Sequence, residues 1–130
     1  MARKSHGGSY PPDWQEISKR VKEDAGWKCI RCGHPDDRES GHMLTVHHLD
    51  MNPGNCAWWN LAALCQKCHL RIQAKVIMER PWLLEHSEWF KPFVAGYYAS
   101  QLGLPTDREF VREHMNRIIA IGMGRTSNSF

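Results

Sequence analysis

The sequence predicts a small α+β fold that is held together by a metal ion, and three observations support this prediction. Two Cys-x-x-Cys pairs occur in the chain, two short stretches with the composition of β-strands lie between them, and segments with helical periodicity lie on either side. The length of 130 residues, with 42% hydrophobic and 24% charged residues, is typical of one globular domain rather than of a disordered or membrane protein.

Composition and the N-terminus also narrow the cellular setting. The longest apolar run, residues 94–99, is far too short to span a bilayer, so we expect no membrane partner. The basic N-terminus is not followed by the apolar segment that secretory signals contain, and we expect a cytoplasmic, intracellular protein. A net charge of +3 permits nucleic-acid binding without requiring it. Residues 1–12 and 122–130 are polar and aperiodic, and we predict a flexible arm and a flexible tail.

The first predicted element is a helix over residues 14–25. Asp13 and Glu16 have the spacing of an acidic capping box, and apolar residues recur on one helical face from Trp14 onward. Gly26 is a natural residue to end the helix. We expect this helix to be structural and to pack Trp14 on the core.

The cysteines predict a structural zinc site. Cys29 and Cys32 form one Cys-x-x-Cys pair, and Cys65 and Cys68 form the second. A single pair would be compatible with redox chemistry, but a thioredoxin-type site lies between a strand and a helix and has no second pair. In a reducing compartment two pairs favour one closed four-thiolate site, because zinc prefers soft ligands in a tetrahedron. Cys56 is left over, and we expect it to be a small apolar loop residue rather than a ligand.

Two short strands are predicted between the cysteine pairs. Residues 43–47 are apolar and β-branched, and they form a strand that delivers His47 and His48. Residues 60–64 form the second strand. Alternation along a strand sends His47 and His48 to opposite faces, although a residue at a strand end can be turned into a cleft.

A loop and a helix complete the central region. Residues 50–55 are typical of a turn, and the apolar residues 57–59 are expected to anchor the loop to the core. Residues 66–78 have helical composition, and this helix is expected to stop before Pro81. The central region is thus predicted to be two strands and a helix pinned by zinc.

The C-terminal part is aromatic and helical. Residues 81–121 contain many aromatic side chains, and Thr106 and Glu109 have the spacing of a capping box that opens a helix over residues 107–121. Its apolar face is more typical of a core or subunit contact than of a ligand site. The face comprises Phe110, Val111, His114, Ile118 and Ile121.

Four short motifs carry a resemblance to a known family. VHHLD, Asn60-Leu61, Leu64-Cys65 and Cys68-His69 resemble the HNH endonucleases, in the version with two zinc-binding Cys-x-x-Cys pairs. The resemblance spans residues 27–73, and it implies a zinc-stabilised ββα-metal core, also called the His-Me finger. Residues 13–80 would be the nuclease core with its N-terminal helix, and residues 81–121 a helical extension of the same domain.

The resemblance implies a role for each motif residue. His48 would be the general base that takes a proton from the attacking water, a task suited to an imidazole. His47 and His69 would bind a divalent ion that stabilises charge on the scissile phosphate and on the leaving 3′ oxygen. Many members have aspartate at the position of His47, and histidine also accepts softer ions, so Mg²⁺, Mn²⁺, Ni²⁺, Co²⁺ or Zn²⁺ is expected. Asn60 would fix the loop geometry, and its alternative is an ordinary turn residue.

Further residues are assigned to the surroundings of this site. Asp50 and Asn55 would orient the histidines, although a turn role is equally compatible with each. Lys67, Arg71 and Lys75 are candidates for contacts with the DNA backbone. A solvated basic helix face would have the same sequence pattern.

The resemblance implies a metal-dependent endonuclease that hydrolyses DNA phosphodiester bonds by nicking or by double-strand cleavage and leaves a 5′ phosphate. The alternative is a non-catalytic zinc-knuckle DNA-binding or adaptor module, but such a module would be expected to have lost at least one motif histidine or Asn60. A structural protein of an assembly is a third interpretation, and it draws only on the aromatic C-terminal segment. Similar small proteins are frequently encoded by phages and prophages and linked with DNA packaging. The implied partner is therefore DNA, and phage packaging machinery is an example of the protein partners that such proteins have.

Overall fold

A computed structural model describes residues 9–72 and 87–124. The described chain contains the helices α1 (Trp14–Asp24), α2 (Gln66–Ile72), α3 (Lys91–Leu102), α4 (Arg108–Glu113) and α5 (Met115–Gly122), the strands β1 (Leu44–His48) and β2 (Leu61–Cys65), and a 3-10 helix (Trp58–Asn60). The predictions for residues 1–8 and 125–130, and for the helix beyond Ile72, lie outside the described residues. Within these two ranges, no helix is long and apolar enough to cross a membrane.

The strands form an antiparallel hairpin that presents the two histidines at one end. Leu44 lies opposite Cys65 and His48 lies opposite Leu61, so the pairing runs without a bulge. His47 faces Ala62, and that small side chain leaves room for the imidazole. Each strand is shifted by one residue toward the C-terminus relative to the predicted bounds, and α2 follows β2 directly as predicted.

Helix α1 has the predicted bounds to within one residue, but its N-terminus differs from the prediction. The Asp13 side chain makes no capping hydrogen bond, so the predicted capping box was wrong. Ion pairs between Glu16 and Arg20 and between Lys19 and Glu23 are exposed, so they add little stability. Trp14 was expected to pack on the core, and instead its ring lies against a histidine of β1.

The C-terminal helices differ from the single helix that the sequence predicted over residues 107–121. The chain bends at His114, which separates α4 from α5. The capping residue of α4 is Asp107 rather than Thr106, because the Asp107 side chain accepts a hydrogen bond from the Phe110 N–H at 3.1 Å. The apolar face is confirmed in part, since Val111, Ile118 and Ile121 are buried.

Helix α3 supports the loop that leads into β2. It packs against the 3-10 helix, and a Cβ atom on Gly96 would come within 2.5 Å of the Cβ of Trp59, so only glycine allows this approach. The indole N–H of Trp58 donates to the carbonyl of Thr106 at 2.6 Å. The predicted anchoring of residues 57–59 is confirmed, and the C-terminal helices provide the anchor.

Candidate functional site

The four cysteines of the two Cys-x-x-Cys pairs form a compact cluster. The sulfur atoms of Cys29, Cys32, Cys65 and Cys68 all lie within 4.8 Å of one another, and the Cys32 and Cys65 sulfurs are 3.8 Å apart. A zinc ion bound tetrahedrally at about 2.3 Å from each sulfur would place the sulfurs roughly 3.8 Å apart. The cluster therefore has the size and chemistry to hold one such metal ion.

Backbone N–H groups donate to one sulfur atom in each half of this cluster. The N–H groups of Arg31 and Cys32 donate to the Cys29 sulfur at 3.4 Å, and the Cys68 N–H donates to the Cys65 sulfur at 3.5 Å. Burial would raise the pKa of Cys29, but backbone N–H donors outweigh it and lower the pKa to about 7. Burial raises the pKa of Cys68 to about 12, even though the Arg31 guanidinium donates to its sulfur at 3.6 Å.

The fifth cysteine lies apart from the cluster. The thiol of Cys56 donates to the carbonyl of Pro53 at 3.7 Å, within the loop between the strands. Burial raises the pKa of Cys56, with a further contribution from nearby Asp13. Cys56 thus behaves as a protonated loop thiol, as the sequence predicted.

His47 and His69 lie together on one side of the hairpin. Their ring centroids are 4.4 Å apart, and His47 comes from β1 while His69 comes from the first turn of α2. The Thr45 hydroxyl donates its proton to the carbonyl of Leu64 at 2.7 Å and is 2.9 Å from Nδ1 of His69. Because the hydroxyl has one proton, Nδ1 of His69 must be the donor to Thr45. The lone pair of His69 is therefore on Nε2, the atom available to bind a metal ion.

His47 is held in its neutral form. Its side chain is 4% exposed, and burial, followed by the positive charge that His69 and His48 would carry, lowers the pKa of His47 to about 4. Asp50 opposes this shift without cancelling it. An imidazole must be unprotonated to bind a metal ion, so His47 is suited to that task at neutral pH. Among residues 9–72 and 87–124, the cysteine cluster is the one group that brings three or more potential metal ligands together. The histidine pair would supply two ligands, so a metal ion bound there would have further coordination positions for water or phosphate.

His48 occupies the opposite side of the strand, as alternation predicted. Burial lowers the pKa of His48, while Asp50 and a hydrogen bond to Pro53 oppose the shift. Proline has no backbone N–H, so its carbonyl is the acceptor and the imidazole must donate. Nε2 has no hydrogen-bond partner, so the donor is Nδ1, and Nε2 carries the lone pair. This tautomer is the one that a base acting through Nε2 requires.

Two aromatic residues from the N-terminal region cover the His48 ring. The ring centroid of Trp14 lies 4.8 Å from that of His48 at an interplanar angle of 32°. The Tyr10 ring meets His48 edge-on at 5.7 Å and meets Trp14 at 5.2 Å. Sequence reasoning missed both contacts, because they join residues far apart in the chain and neither residue belongs to a recognisable motif.

Asn60 ties the loop between the strands to the start of β2. Its side chain is fully buried, its carbonyl oxygen accepts from the Asp50 N–H at 3.0 Å, and its amide donates to the Asp50 carboxylate at 2.9 Å and to the Asn55 carbonyl at 2.8 Å. The Asn55 amide in turn donates to Asp50 at 2.7 Å. The Asp50 carboxylate is thus occupied by loop donors, and it acts on the two histidines through its charge.

The basic residues proposed for DNA contact are partly described. Lys67 and Arg71 are both exposed on α2, and the Lys67 side chain lies over Gly41 in the preceding turn. Lys75 lies outside the described residues. Thr45 was missed by sequence reasoning, although its position two residues before His47 on the same strand face was a usable signal.

The comparison with family models agrees with this geometry. Residues 29–75 match the model of the HNH endonuclease family. The matched segment contains the cysteine cluster, the histidine-bearing hairpin and α2. The predicted resemblance to this family is therefore confirmed. The small α+β fold is consistent with a zinc-stabilised HNH core. No curated protein and no solved structure gave a match to the chain.

Proposed function

We propose that this protein is a metal-dependent DNA endonuclease in which His48 is the general base. The observation that carries the proposal is the arrangement of the three histidines. His47 and His69 form a pair suited to one divalent ion, and the adjacent His48 has its Nδ1 hydrogen atom engaged and its Nε2 lone pair unpaired.

The hydrolytic step assigned to His48 uses these same atoms. Nε2 accepts a proton from a water molecule, the water oxygen attacks phosphorus, and the bond from phosphorus to the 3′ oxygen breaks. The hydrogen bond from Nδ1 to the Pro53 carbonyl stabilises the imidazolium that forms, much as a carboxylate or carbonyl partner does in other histidine bases. Because burial lowers the pKa of His48, the ring is available as a base at neutral pH.

The metal requirements follow from the two ligand sets. His47 and His69 would hold the catalytic ion, drawn from Mg²⁺, Mn²⁺, Ni²⁺, Co²⁺ and Zn²⁺. That ion, when bound, supplies charge stabilisation for the phosphate and for the leaving oxygen. The four cysteines would hold a zinc ion whose contribution is to the stability of the fold, since it joins the loop before β1 to the end of the hairpin.

Substrate contacts are proposed for the exposed face of α2. Lys67 and Arg71 would contact phosphates, which gives affinity and salt sensitivity without reading the sequence. Asn60, Asp50 and Asn55 would hold the loop that carries the Pro53 carbonyl, and so they would orient His48 indirectly.

The competing proposal is a DNA-binding or adaptor module without catalysis. It requires the fold and the zinc site but gives no reason for a contacting pair of His47 and His69, or for a His48 whose Nε2 has no hydrogen-bond partner. The intact set of His47, His48, Asn60 and His69 therefore favours the enzyme.

The test is cleavage of supercoiled plasmid across a panel of divalent ions, with the ends mapped. We expect nicked or linear product with a 5′ phosphate from the wild type, and none from the His48→Ala variant with its zinc content unchanged. His42→Ala, which changes a histidine of the polar turn before β1, is the matched control and should cleave like the wild type. DNA binding without cleavage by the wild type under every ion would favour the adaptor module, and equal cleavage by His48→Ala would refute the assignment of the base.

A further inference from the structure

The buried Nε2 atom of His48 requires an explanation. Nε2 is the one buried side-chain nitrogen or oxygen without a partner in the part of the chain that the structure describes, and the His48 side chain is 7% exposed. Buried polar atoms without a partner are uncommon in folded proteins. A base must reach a water molecule, so a conformation that buries Nε2 is a closed one.

The rings of Tyr10 and Trp14, which we call the aromatic cap, pack against the His48 ring that carries this atom. The three ring centroids of the cap and His48 are mutually within 5.7 Å, which is the range of favourable aromatic contacts. The Trp14 ring is tilted by 32° against the imidazole, and the Tyr10 ring contacts the imidazole edge-on. The cap thus lies against His48, whereas His47 lies against His69.

The two rings of the cap are held in different ways. Trp14 is the first residue of α1, and α1 packs against both strands of the hairpin, so moving Trp14 means moving a helix. Tyr10 precedes the helix, lies outside any helix or strand, and is 58% exposed. Displacing Tyr10 breaks two ring contacts and leaves the helix in place.

We propose that Tyr10 is a gate on the general base. Its ring closes the aromatic cap over His48, and it must move away before water can reach Nε2. Trp14 is the fixed part of the cap and a positioning residue that holds the plane of the imidazole. This proposal rests on the proposed function for the role of His48, but the accessibility of Nε2 can be measured without any cleavage.

The test is chemical modification of the histidines by diethyl pyrocarbonate, which acylates accessible neutral imidazole nitrogens. The full-length protein with its zinc is treated at neutral pH without other divalent ions, and the rate at His48 is read from fragment ions of the peptide that contains it. Wild type, Tyr10→Ala and Tyr10→Phe are compared, and the phenylalanine variant is the matched control because it keeps the ring. His114, whose side chain is 38% exposed, gives the rate of an accessible histidine in the same sample.

We expect His48 to react roughly threefold to tenfold faster in Tyr10→Ala than in the wild type. This is the factor by which the loss of one or two aromatic contacts would lower the equilibrium constant between the closed and the open state. Tyr10→Phe should react at the wild-type rate. The gate is overturned if Tyr10→Ala matches the wild type, if Tyr10→Phe is as fast as Tyr10→Ala, or if wild-type His48 reacts as fast as His114. Failure of the wild type to cut DNA would instead refute the proposed function, and the modification rates would still decide whether Tyr10 controls access to His48.

Discussion

Replacing Asn60 by alanine should be among the most destabilising changes outside the apolar core. The side chain is fully buried and makes three hydrogen bonds, two with Asp50 and one with the Asn55 carbonyl. A neutral bond contributes about 1 kcal/mol to stability and a bond to a charged carboxylate about 1.5–3 kcal/mol. Asp50 keeps its bonds from the Asn52 N–H and the Asn55 amide, so part of the loss is absorbed. We therefore expect Asn60→Ala to lower the free energy of unfolding by about 3 kcal/mol.

The assay is urea unfolding at a fixed zinc concentration, because a metal that binds the folded state shifts the midpoint. Asn52→Ala is the matched control. The Asn52 side chain accepts one hydrogen bond, from the Gly54 N–H at 3.0 Å, and this bond is exposed to solvent. Losing this bond should lower the free energy of unfolding by about 1 kcal/mol or less. Asn60→Asp keeps the shape but sets a second carboxylate against Asp50 and should cost at least as much as alanine. If Asn60→Ala were no worse than Asn52→Ala, the buried network would not hold the loop and the reasoning would be refuted.

Three further predictions concern the metal sites and the packing of α3. Between pH 6.5 and pH 4, without added catalytic ion, the free energy of unfolding should fall by about 3 kcal/mol more in the wild type than in His47→Asn. The reason is that His47 takes up a proton in the unfolded chain as the pH falls through this range, whereas in the folded protein it stays neutral until about pH 4. Parallel curves of the free energy of unfolding against pH for the two proteins would contradict this. Cys29→Ser should lose zinc by metal analysis and melt earlier, whereas Cys56→Ser should keep one zinc per chain. Gly96→Ala should lower the free energy of unfolding by about 1–3 kcal/mol, because its Cβ would overlap Trp59, and an unchanged urea midpoint would count against that packing.

Local sequence signals predicted the central region well. Cys-x-x-Cys spacing predicted the cysteine cluster, because each pair is closed by its own tight turn and only the meeting of the two pairs needs the fold. Alternation predicted that His47 and His48 lie on opposite faces. The predicted start of β2 was off by one residue because Asn60 turns its side chain into the loop and ends a 3-10 helix instead of beginning β2.

Features that depend on distant contacts could not be predicted. Apolar residues are spread around α3 rather than along one face, so no stripe marked its bounds. The bend at His114 interrupts a periodicity that continues through it, and the sequence favoured one helix. The tautomers of His48 and His69 depend on Pro53 and Thr45, whose relation to the histidines appears only once the hairpin and its loop are folded.

The central claim is that the thiolates maintain the fold while the imidazoles perform the chemistry. A substitution at His69 tests this division most directly, because His69 comes immediately after Cys68, a residue of the cysteine cluster. The decisive measurement is metal content and plasmid cleavage on the same preparation of His69→Ala. We predict one zinc per chain, as in the wild type, with cleavage reduced by roughly 100-fold or more, because a Lewis acid worth several kcal/mol is no longer held. Undiminished cleavage, or loss of the zinc together with cleavage, would contradict the division of the site into two metal centres.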